Sequence, residues 1–478
     1  MSLIRPSIAV SIVALAQSLA PAHAAQTATA PTFYRDVLPI IQENCQVCHR
    51  PNGANLGGMV APMAFETFAE ARPWAKAMAR AVETRKMPPW HAAPEQHGLF
   101  KNERTLTQAE IDTIVAWAKT GAKRGDAARA PTVEKIVTSA EWAIGEPDLI
   151  VRFDEPYFVK DDVEDEYVYL ETTMTEELLP EDRYMKAVEF RPGSSAVHHI
   201  ITIPLGGIAP GNEATIYPEG VGALLRKGDD LTWQMHYHKE AGPGTGMWDH
   251  SMVALKFYDD PADVKYKLQG NELGFYDFVI PAGASDYSVQ QTYTFKHASR
   301  IISYMPHFHL RGKAAKYEVL YPDGSSEVLL EVPRYDFNWQ TAYTYKQYKS
   351  VPKGTKLTFT TTWDNSSDNP FNPDPTVDVR YGDPTTDEMS VGYISFINDS
   401  DDYETFFDNF TGTGDAIDFT AVIVMYDWNK DGKMQREETP ETFAPFFETM
   451  DRNDDGEVDM KEATEAKEEY LRKYLESE

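Results

Sequence analysis

Cysteine and positive charge are both scarce in this sequence of 478 residues. The only two cysteines are Cys45 and Cys48, so a disulfide framework of the kind that many secreted proteins use is not expected. Lys and Arg number 45 against 75 Asp and Glu, which gives a formal net charge of -30. That balance argues against a nucleic-acid partner, because protein surfaces that bind phosphates are rich in Lys and Arg.

Long apolar runs are also absent after the first residues of the chain. Residues 1–24 contain Arg5, an apolar run over 8–19 and the small-residue pattern Ala22-His23-Ala24, which together predict a cleavable signal peptide. We therefore expect a periplasmic or secreted protein. No later stretch approaches about 18 consecutive apolar residues, so no membrane span is predicted.

The length predicts several domains, since one domain usually takes about 100–200 residues. Between residues 141 and 415, short apolar runs such as 200–203 and 357–359 are bounded by Gly, Pro, Asn and Asp. Many short strands separated by turn residues predict two all-β domains of the jelly-roll or β-sandwich type, which we place at 141–285 and 286–415. Residues 126–140 are predicted to be a polar linker.

The two cysteines belong to the motif Cys45-Gln46-Val47-Cys48-His49. This spacing attaches haem c through two thioether bonds, with the histidine as an axial ligand of the iron. The alternatives are a thioredoxin-like redox pair or half of a zinc site. Neither explains the adjacent histidine, and no second cysteine pair exists to complete a zinc site. The motif therefore predicts one covalently bound haem c.

Helical patterns surround the haem motif. Residues 33–44 show helical periodicity, and they lead directly into it. A second helix is predicted over 107–120, with Thr107 as its N-cap, Glu110 at the capping-box position and Gly121 just past its end.

With these helices, residues 30–125 resemble a small all-α class I cytochrome c domain. The resemblance implies that a methionine followed by proline is the sixth ligand of the iron. Met87, in Met87-Pro88-Pro89, matches that pattern, while Met59 and Met63 fit it less well. A six-coordinate haem would carry electrons and leave catalysis to another site.

Six of the 12 histidines lie in three short clusters within the β-rich part of the chain. Imidazole is a common ligand of zinc, copper and non-haem iron, so the clusters predict a metal site. His-x-His in a strand places both rings on one face, whereas an adjacent pair needs a bulge or a strand end to converge. The alternative is a set of ordinary half-buried, hydrogen-bonded histidines. The clusters are His198-His199, His236-Tyr237-His238 and His307-Phe308-His309.

The order of these motifs, followed by Asp-Glu-Met at 387–389, resembles the copper type II ascorbate-dependent monooxygenases. That family includes the peptidylglycine α-hydroxylating and dopamine β-monooxygenases. The resemblance implies two jelly-roll domains with one copper each, facing across a solvent-filled cleft. A thioether is a soft ligand, which favours Cu(I) over zinc or iron. The ligands implied are His198, His199 and His236 for the electron-transferring copper, and His307, His309 and Met389 for the oxygen-activating copper.

The resemblance also implies an activity, namely the hydroxylation of a C–H bond of a small organic substrate by O₂. One oxygen atom is inserted, the other leaves as water, and two electrons are consumed. Family members take these electrons from ascorbate. Here a periplasmic donor or an ascorbate-like reductant is expected to supply the haem domain, which passes electrons first to the three-histidine copper and then to the copper with the methionine.

Positions near the second copper motif bear on the substrate. Met305 and Val391 replace an arginine and an asparagine of the peptide-hydroxylating branch. This argues against a glycine-extended peptide and favours a less charged molecule. His238 has no counterpart in the ligand scheme, whereas Tyr393 matches a tyrosine of the family. The predicted catalytic residues are His307, His309, Met389 and Tyr393.

Two calcium-binding loops are predicted within an α-helical EF-hand pair at 416–478. In each loop, carboxylate and amide oxygens recur at alternate positions, a glycine allows a sharp turn, and a glutamate stands at the twelfth place. A merely acidic tail is the alternative. Outside the cytoplasm calcium is often plentiful, which favours a structural role for the two ions. The predicted ligands are Asp427, Asn429, Asp431, Lys433 and Glu438 in the first loop, and Asp451, Asn453, Asp455, Glu457 and Glu462 in the second, with Lys433 and Glu457 acting through their carbonyl groups.

Two other functions stay open on the sequence alone. One is a periplasmic haem and copper protein for electron transfer or copper handling, without oxygenase activity. The other is a calcium-dependent adhesion or docking module. Met389 favours an enzyme, because neither storage nor adhesion requires two unequal copper sites.

Overall fold

The structure is a computed structural model that describes residues 30–51, 56–57, 61–132, 140–400, 423, 427, 431–439, 447–448 and 450–466. The predicted signal peptide at 1–24, part of the predicted linker, Met59 and Asn429 lie outside these residues. Among the described helices, none is long and apolar enough to cross a bilayer.

The N-terminal region is helical, and its two predicted helices are confirmed. The first begins with a π-helical turn, Phe33–Val37, before its α-helical part. The second has the predicted capping box, in which Glu110 accepts the backbone N–H of Thr107 at 2.7 Å. Phe33 and Trp117, both fully buried, pack together at the centre of this region. The α-helices are α1 (Leu38–Asn44), α2 (Phe68–Ala71), α3 (Ala75–Glu83) and α4 (Gln108–Lys119).

The next part of the chain is the first β-sandwich. One sheet has the order β1-β11-β4-β8-β12 with β7 beside β4, the other has the order β3-β9-β5-β6, and β2 pairs with β10. Alternate residues of β9, including Trp233 and Met235, turn into a common core with Ile200 and Leu255. The strands are β1 (Leu149–Arg152), β2 (Tyr157–Val159), β3 (Asp165–Thr173), β4 (Arg183–Arg191), β5 (Val197–Ile203), β6 (Gly206–Ile208), β7 (Thr215–Ile216), β8 (Val221–Leu225), β9 (Asp230–His238), β10 (Met247–Asp249), β11 (Met252–Phe257) and β12 (Tyr266–Lys267).

A second β-sandwich follows. Its sheets have the orders β13-β22-β16-β19 and β15-β20-β17-β18, and β14 pairs with β21. Because β13 pairs with β22 along its whole length, this sandwich starts before the predicted boundary at residue 286. The strands are β13 (Gln269–Gly274), β14 (Val279–Ile280), β15 (Tyr287–Thr294), β16 (Ser299–His307), β17 (Gly312–Leu320), β18 (Ser326–Val332), β19 (Tyr343–Val351), β20 (Lys356–Trp363), β21 (Val379–Arg380) and β22 (Val391–Asn398). In the C-terminal region, β23 (Lys433–Gln435) pairs with β24 (Glu457–Asp459).

Part of the N-terminal region is built into the second sandwich. Trp90 and Phe100 belong to the same hydrophobic core as Tyr343 and Phe359. Backbone hydrogen bonds join residues 99–101 to strand β19. In one of them, the Lys101 N–H donates to the Thr344 carbonyl at 2.8 Å. The segment 90–101 therefore completes the second sandwich, although the sequence pattern placed it in a separate domain at 30–125.

We predict that Phe100→Ala destabilises the second sandwich. Phe100 is fully buried among aromatic rings, so the truncation should lower the free energy of unfolding by about 3–5 kcal/mol. The matched control is Leu99→Ala, since Leu99 is 43% exposed and should change stability by less than about 0.5 kcal/mol. Denaturant titration of both variants measures the difference, and equal midpoints would contradict the shared core.

Candidate metal centres

The first histidine group lies on adjacent strands β5 and β9. A register shift between Val197 and His199 forms the bulge that an adjacent pair needs, and it brings His198 to the same side as His199. His236 comes from β9, and its ring centroid lies 4.8 Å from each of the other two. Ligand atoms of the three rings lie within 4.8 Å of one another. Three imidazoles at this spacing can share one metal ion.

Hydrogen bonds to the imidazole rings of the first histidine group determine which ring nitrogens are left for a metal ion. Asp165, on β3, makes a short hydrogen bond with Nε2 of His236, and Gln234 lies 3.3 Å from Nε2 of His199. The Nδ1 atoms of His198 and His236 are buried and have no hydrogen-bond partner among the described residues. A buried nitrogen without a hydrogen-bond partner destabilises the folded protein. A metal ion bound to both Nδ1 atoms would remove this cost.

The second histidine group lies at the end of β16. Nδ1 of His307 donates to Oε1 of Gln340 at 2.6 Å, and Nδ1 of His309 donates to the Asp387 carbonyl at 3.2 Å. These bonds leave Nε2 of both rings for a metal ion. The ring centroids are 5.4 Å apart.

The chain neighbours of Met389 place it at the same end of the sheet as these histidines. Glu388 is fully buried, and its carboxylate accepts the backbone N–H groups of His309 at 2.8 Å and Arg311 at 2.6 Å. Burial raises the pKa of Glu388 to about 7, against the opposing effect of these hydrogen bonds. Val391 pairs with His307 across β22 and β16, so the start of β22 carries Met389 to the same end of the sheet.

Burial lowers the pKa of four of these imidazoles, those of His198, His199, His307 and His309. Desolvation lowers the pKa of His198 to about 3 and that of His307 to about 4. The pKa values of His199 and His309 are also shifted well below the ordinary range, again chiefly by burial. Neutral imidazole is the form that binds a metal ion, so these rings need lose no proton at neutral pH.

One aromatic ring contacts both histidine groups. Phe337 stacks on His198 with centroids 4.9 Å apart, and it meets His309 edge to face at 5.9 Å. The family resemblance implied a solvent-filled cleft here. The separation of His198 and His309 cannot exceed the sum of these two distances, so the groups are close.

Two other predicted site residues, His238 and Tyr393, lie outside the two histidine groups, although the His238 ring is 6.5 Å from that of His198. His238 is 56% exposed, and its Nδ1 lies 4.0 Å from Asp165. It lines a cavity of about 800 Å³ between the sandwiches, together with Asp165, Leu310 and Thr385. Tyr393 pairs across the sheet with Met305, and its carbonyl accepts a hydrogen bond from the Tyr317 hydroxyl at 3.2 Å.

The predicted haem motif follows α1. Nδ1 of His49 donates to the Met63 carbonyl at 3.1 Å, which leaves Nε2 available to bind an iron, and Met87 would be the second protein ligand. Burial raises the pKa of the Cys45 thiol to about 12. Nearby guanidinium nitrogens of Arg50 and Arg104 are buried without a hydrogen-bond partner among the described residues, as expected where haem carboxylates would bind. The described residues therefore fit a haem group.

One loop of the first sandwich joins this region to both sandwiches. In the junction loop, residues 209–213, Gly211 N–H donates to the Leu56 carbonyl at 3.1 Å, and Glu213 pairs with Arg104 at 2.5 Å. The Pro210 carbonyl accepts the backbone N–H of Gln340 at 3.2 Å. Gln340 in turn bonds His307, so a short chain of contacts leads from the N-terminal region to the second histidine group.

The second predicted calcium loop has the expected geometry. Asp451 accepts the backbone N–H of Gly456 at 2.9 Å, and Gly456 has the positive φ of 82° that the sharp turn requires. Glu462 is buried and caps the backbone N–H groups of Arg452 and Asp459.

The first predicted calcium loop is described only in part. Asp427 accepts the N–H of Gly432 at 2.8 Å, Asp431 accepts that of Lys433, and Glu438 is buried. The two loops are joined by the β23–β24 pair, where Lys433 lies opposite Asp459. The EF-hand arrangement and its calcium ions stay a prediction.

Sequence reasoning missed the residues that orient the ligands. Asp165, Gln340 and Phe337 are distant in sequence from the histidines they touch, and no motif marks them. Glu388 lies inside the Asp-Glu-Met motif, which could have drawn attention to it.

This geometry defines a class of protein, a β-sandwich protein with a buried histidine group on each of two neighbouring sandwiches. Comparison with known families narrows the class. Residues 274–408, which include His307, His309 and Met389, match the family model of the copper type II ascorbate-dependent monooxygenase, C-terminal domain. The match supports a copper-dependent monooxygenase, and thus an oxidoreductase, in general.

Comparison with curated proteins and with solved structures gives no further information about function. No curated protein matches the chain. Three solved structures from infectious bursal disease virus are similar: the VP2 subviral particle (10% identity, 53% of this chain and 73% of that chain, TM-score 0.18), the Gx strain (9%, 54% and 75%, 0.18) and the T=1 particles (9%, 53% and 70%, 0.18). Scores this low carry no argument about fold or function.

We predict that Asp165→Ala weakens metal binding at the first group. Loss of the carboxylate frees the His236 ring to rotate, which should lower copper affinity there by about 10–100-fold. Competition with a chelator measures the affinity. Asp162→Ala is the control, because Asp162 is exposed on the same cavity wall, and an equal loss in both variants would contradict the role of Asp165.

A separate prediction concerns the second calcium loop. Glu462→Gln removes one ligand charge and should lower calcium affinity by roughly tenfold or more. Isothermal titration with calcium measures this, with Glu465→Gln as the control, since the Glu465 side chain is 45% exposed outside the loop. Unchanged affinity in Glu462→Gln would mean that the loop does not bind calcium in the predicted way.

Proposed function

We propose that this chain is an exported copper-dependent monooxygenase that hydroxylates a C–H bond of a small organic substrate. The observation that carries the proposal is the presence of two histidine groups that differ in composition. One offers three imidazole nitrogens, and the other offers two imidazoles with Met389 at the same end of the sheet. Copper handling alone does not require this asymmetry.

Copper bound at the two groups would supply the one-electron steps that reduce O₂, so that one oxygen atom enters the substrate and the other leaves as water. The thioether of Met389 favours Cu(I) over harder ions. Asp165, Gln340 and the Asp387 carbonyl hold the imidazoles in fixed orientations. The protein thus keeps its ligands ready without reorganisation.

Substrate would enter through the cavity beside Asp165 and His238. Its volume of about 800 Å³ is sufficient for a small organic molecule. The cavity is lined by both sandwiches, and Leu310 follows His309 directly. A molecule bound there would lie next to the second histidine group.

The electrons would come from a haem c held by Cys45, Cys48 and His49. Two features support this part of the proposal. The guanidinium groups of Arg50 and Arg104 fit the carboxylates of a haem, and the junction loop connects this region with Gln340 and His307. The contacts favour electron entry on the His307 side, whereas the sequence resemblance implied entry at the three-histidine group.

Calcium at the two C-terminal loops would then be structural. The β23–β24 pair ties the loops together, so an ion in one loop stabilises the other.

The proposal predicts that Met389→Ala abolishes product formation. Without the thioether, ascorbate-driven incorporation of ¹⁸O₂ into a panel of small organic molecules should fall by at least about 100-fold, while the haem absorption spectrum stays intact. Mass spectrometry detects the label. Met460→Ala is the control, because Met460 is 46% exposed in the C-terminal region.

One result would favour the alternative of an electron-transfer or copper-handling protein. In that case the copper-loaded wild-type protein would oxidise its haem and consume O₂, yet no compound in the panel would gain labelled oxygen. Removal of copper with a chelator should stop O₂ consumption in either case.

A further inference from the structure

One segment of the second sandwich touches both histidine groups and the junction loop. This bridging segment, residues 335–340, connects β18 with β19. At one end Tyr335 packs on Phe308 with ring centroids 4.0 Å apart, and its hydroxyl donates to the Phe308 carbonyl at 2.7 Å. At the other end Gln340 is held by Pro210 and His307. The segment is therefore fixed at both ends.

Trp339 adds a third anchor. Its ring lies so close to Gly211 that no side chain would fit there, and Gly211 has a positive φ of 91°. The junction loop thus meets the bridging segment through both a ring contact and the Pro210 hydrogen bond. Phe337 is the central residue of a segment whose position is set from both sandwiches.

Phe337 makes one contact with each histidine group. Its ring is nearly parallel to that of His198, with an interplanar angle of 16°, and nearly perpendicular to that of His309, with an angle of 84°. Stacked and edge-to-face arrangements are the favourable geometries for aromatic pairs. His198 belongs to the first sandwich and His309 to the second, so the Phe337 ring contacts both sandwiches.

We propose that Phe337 is a positioning residue that fixes the separation of the two metal centres. This inference rests on the proposed function only in taking both groups as copper sites. The ring packs against both imidazoles, and it thereby limits the motion of His198 and of His309. Among the ring contacts of His198 and His309 in the described part of the chain, Phe337 is the partner that both share.

Other contacts keep the two sandwiches together when Phe337 is shortened. Thr385 donates to Asp165 at 3.1 Å, and Asn212 contacts the sulfur of Met305 at 3.4 Å. A variant at Phe337 should therefore stay folded, and the effect should be local to the metal centres.

The test measures the copper-to-copper distance directly. The protein is loaded with Cu(II), and pulsed electron paramagnetic resonance gives the distribution of distances between the two ions. In Phe337→Ala and Phe337→Leu the distribution should broaden and its mean should shift to longer distance. Phe337→Tyr keeps an aromatic ring and should restore the wild-type distribution. Phe371→Ala is the control for loss of an aromatic ring, because Phe371 is 62% exposed in the same sandwich.

The outcomes separate this inference from the proposed function. Two bound coppers with the same distance distribution in the wild type and in Phe337→Ala would overturn the inference and leave the proposed function intact. A wild-type protein that binds fewer than two coppers would overturn both. A broadened distribution in Phe337→Leu that Phe337→Tyr restores would support the inference even if no substrate has been found.

Discussion

The burial of neutral imidazoles is the constraint on which the rest of the site depends. A buried histidine cannot carry a charge cheaply, and it must find a hydrogen-bond partner for at least one nitrogen. Here those partners are Asp165 on a neighbouring strand, Gln340 in the bridging segment and the carbonyl of Asp387. Each partner turns one nitrogen away and leaves the other for a metal ion. In the first group the remaining atoms are Nδ1, and in the second they are Nε2, so the groups differ in geometry as well as in composition.

Local features of this protein could be predicted from the sequence, because they depend on residues close together in the chain. The cap of α4 is encoded by Thr107, Glu110 and Gly121, and the short apolar runs of the β-rich part became strands. The adjacent histidines required a bulge, and β5 has one. The order of the histidine motifs indicated the family that the second sandwich matches.

Long-range features could not be predicted in this way. Asp165 meets His236 only because β3 pairs with β9, and no local pattern fixes that pairing. Trp90 and Phe100 fall within the helical domain predicted at 30–125, yet they complete the core of the second sandwich. The expected cleft between the sandwiches contains Phe337, whose position follows from contacts at both ends of its segment. Each of these features depends on contacts between segments that are distant in the chain, and a single sequence does not reveal such contacts.

The insertion of residues 90–101 into the second sandwich has a kinetic consequence. Trp90, Ala92 and Phe100 lie in the hydrophobic core of the second sandwich, and they tether the helices around His49 to that sandwich. An encounter between them is unimolecular, and its rate does not fall when the protein is diluted. Electron transfer from the region around His49 to the histidine groups would then have a rate that is independent of protein concentration. It would need no diffusing electron carrier.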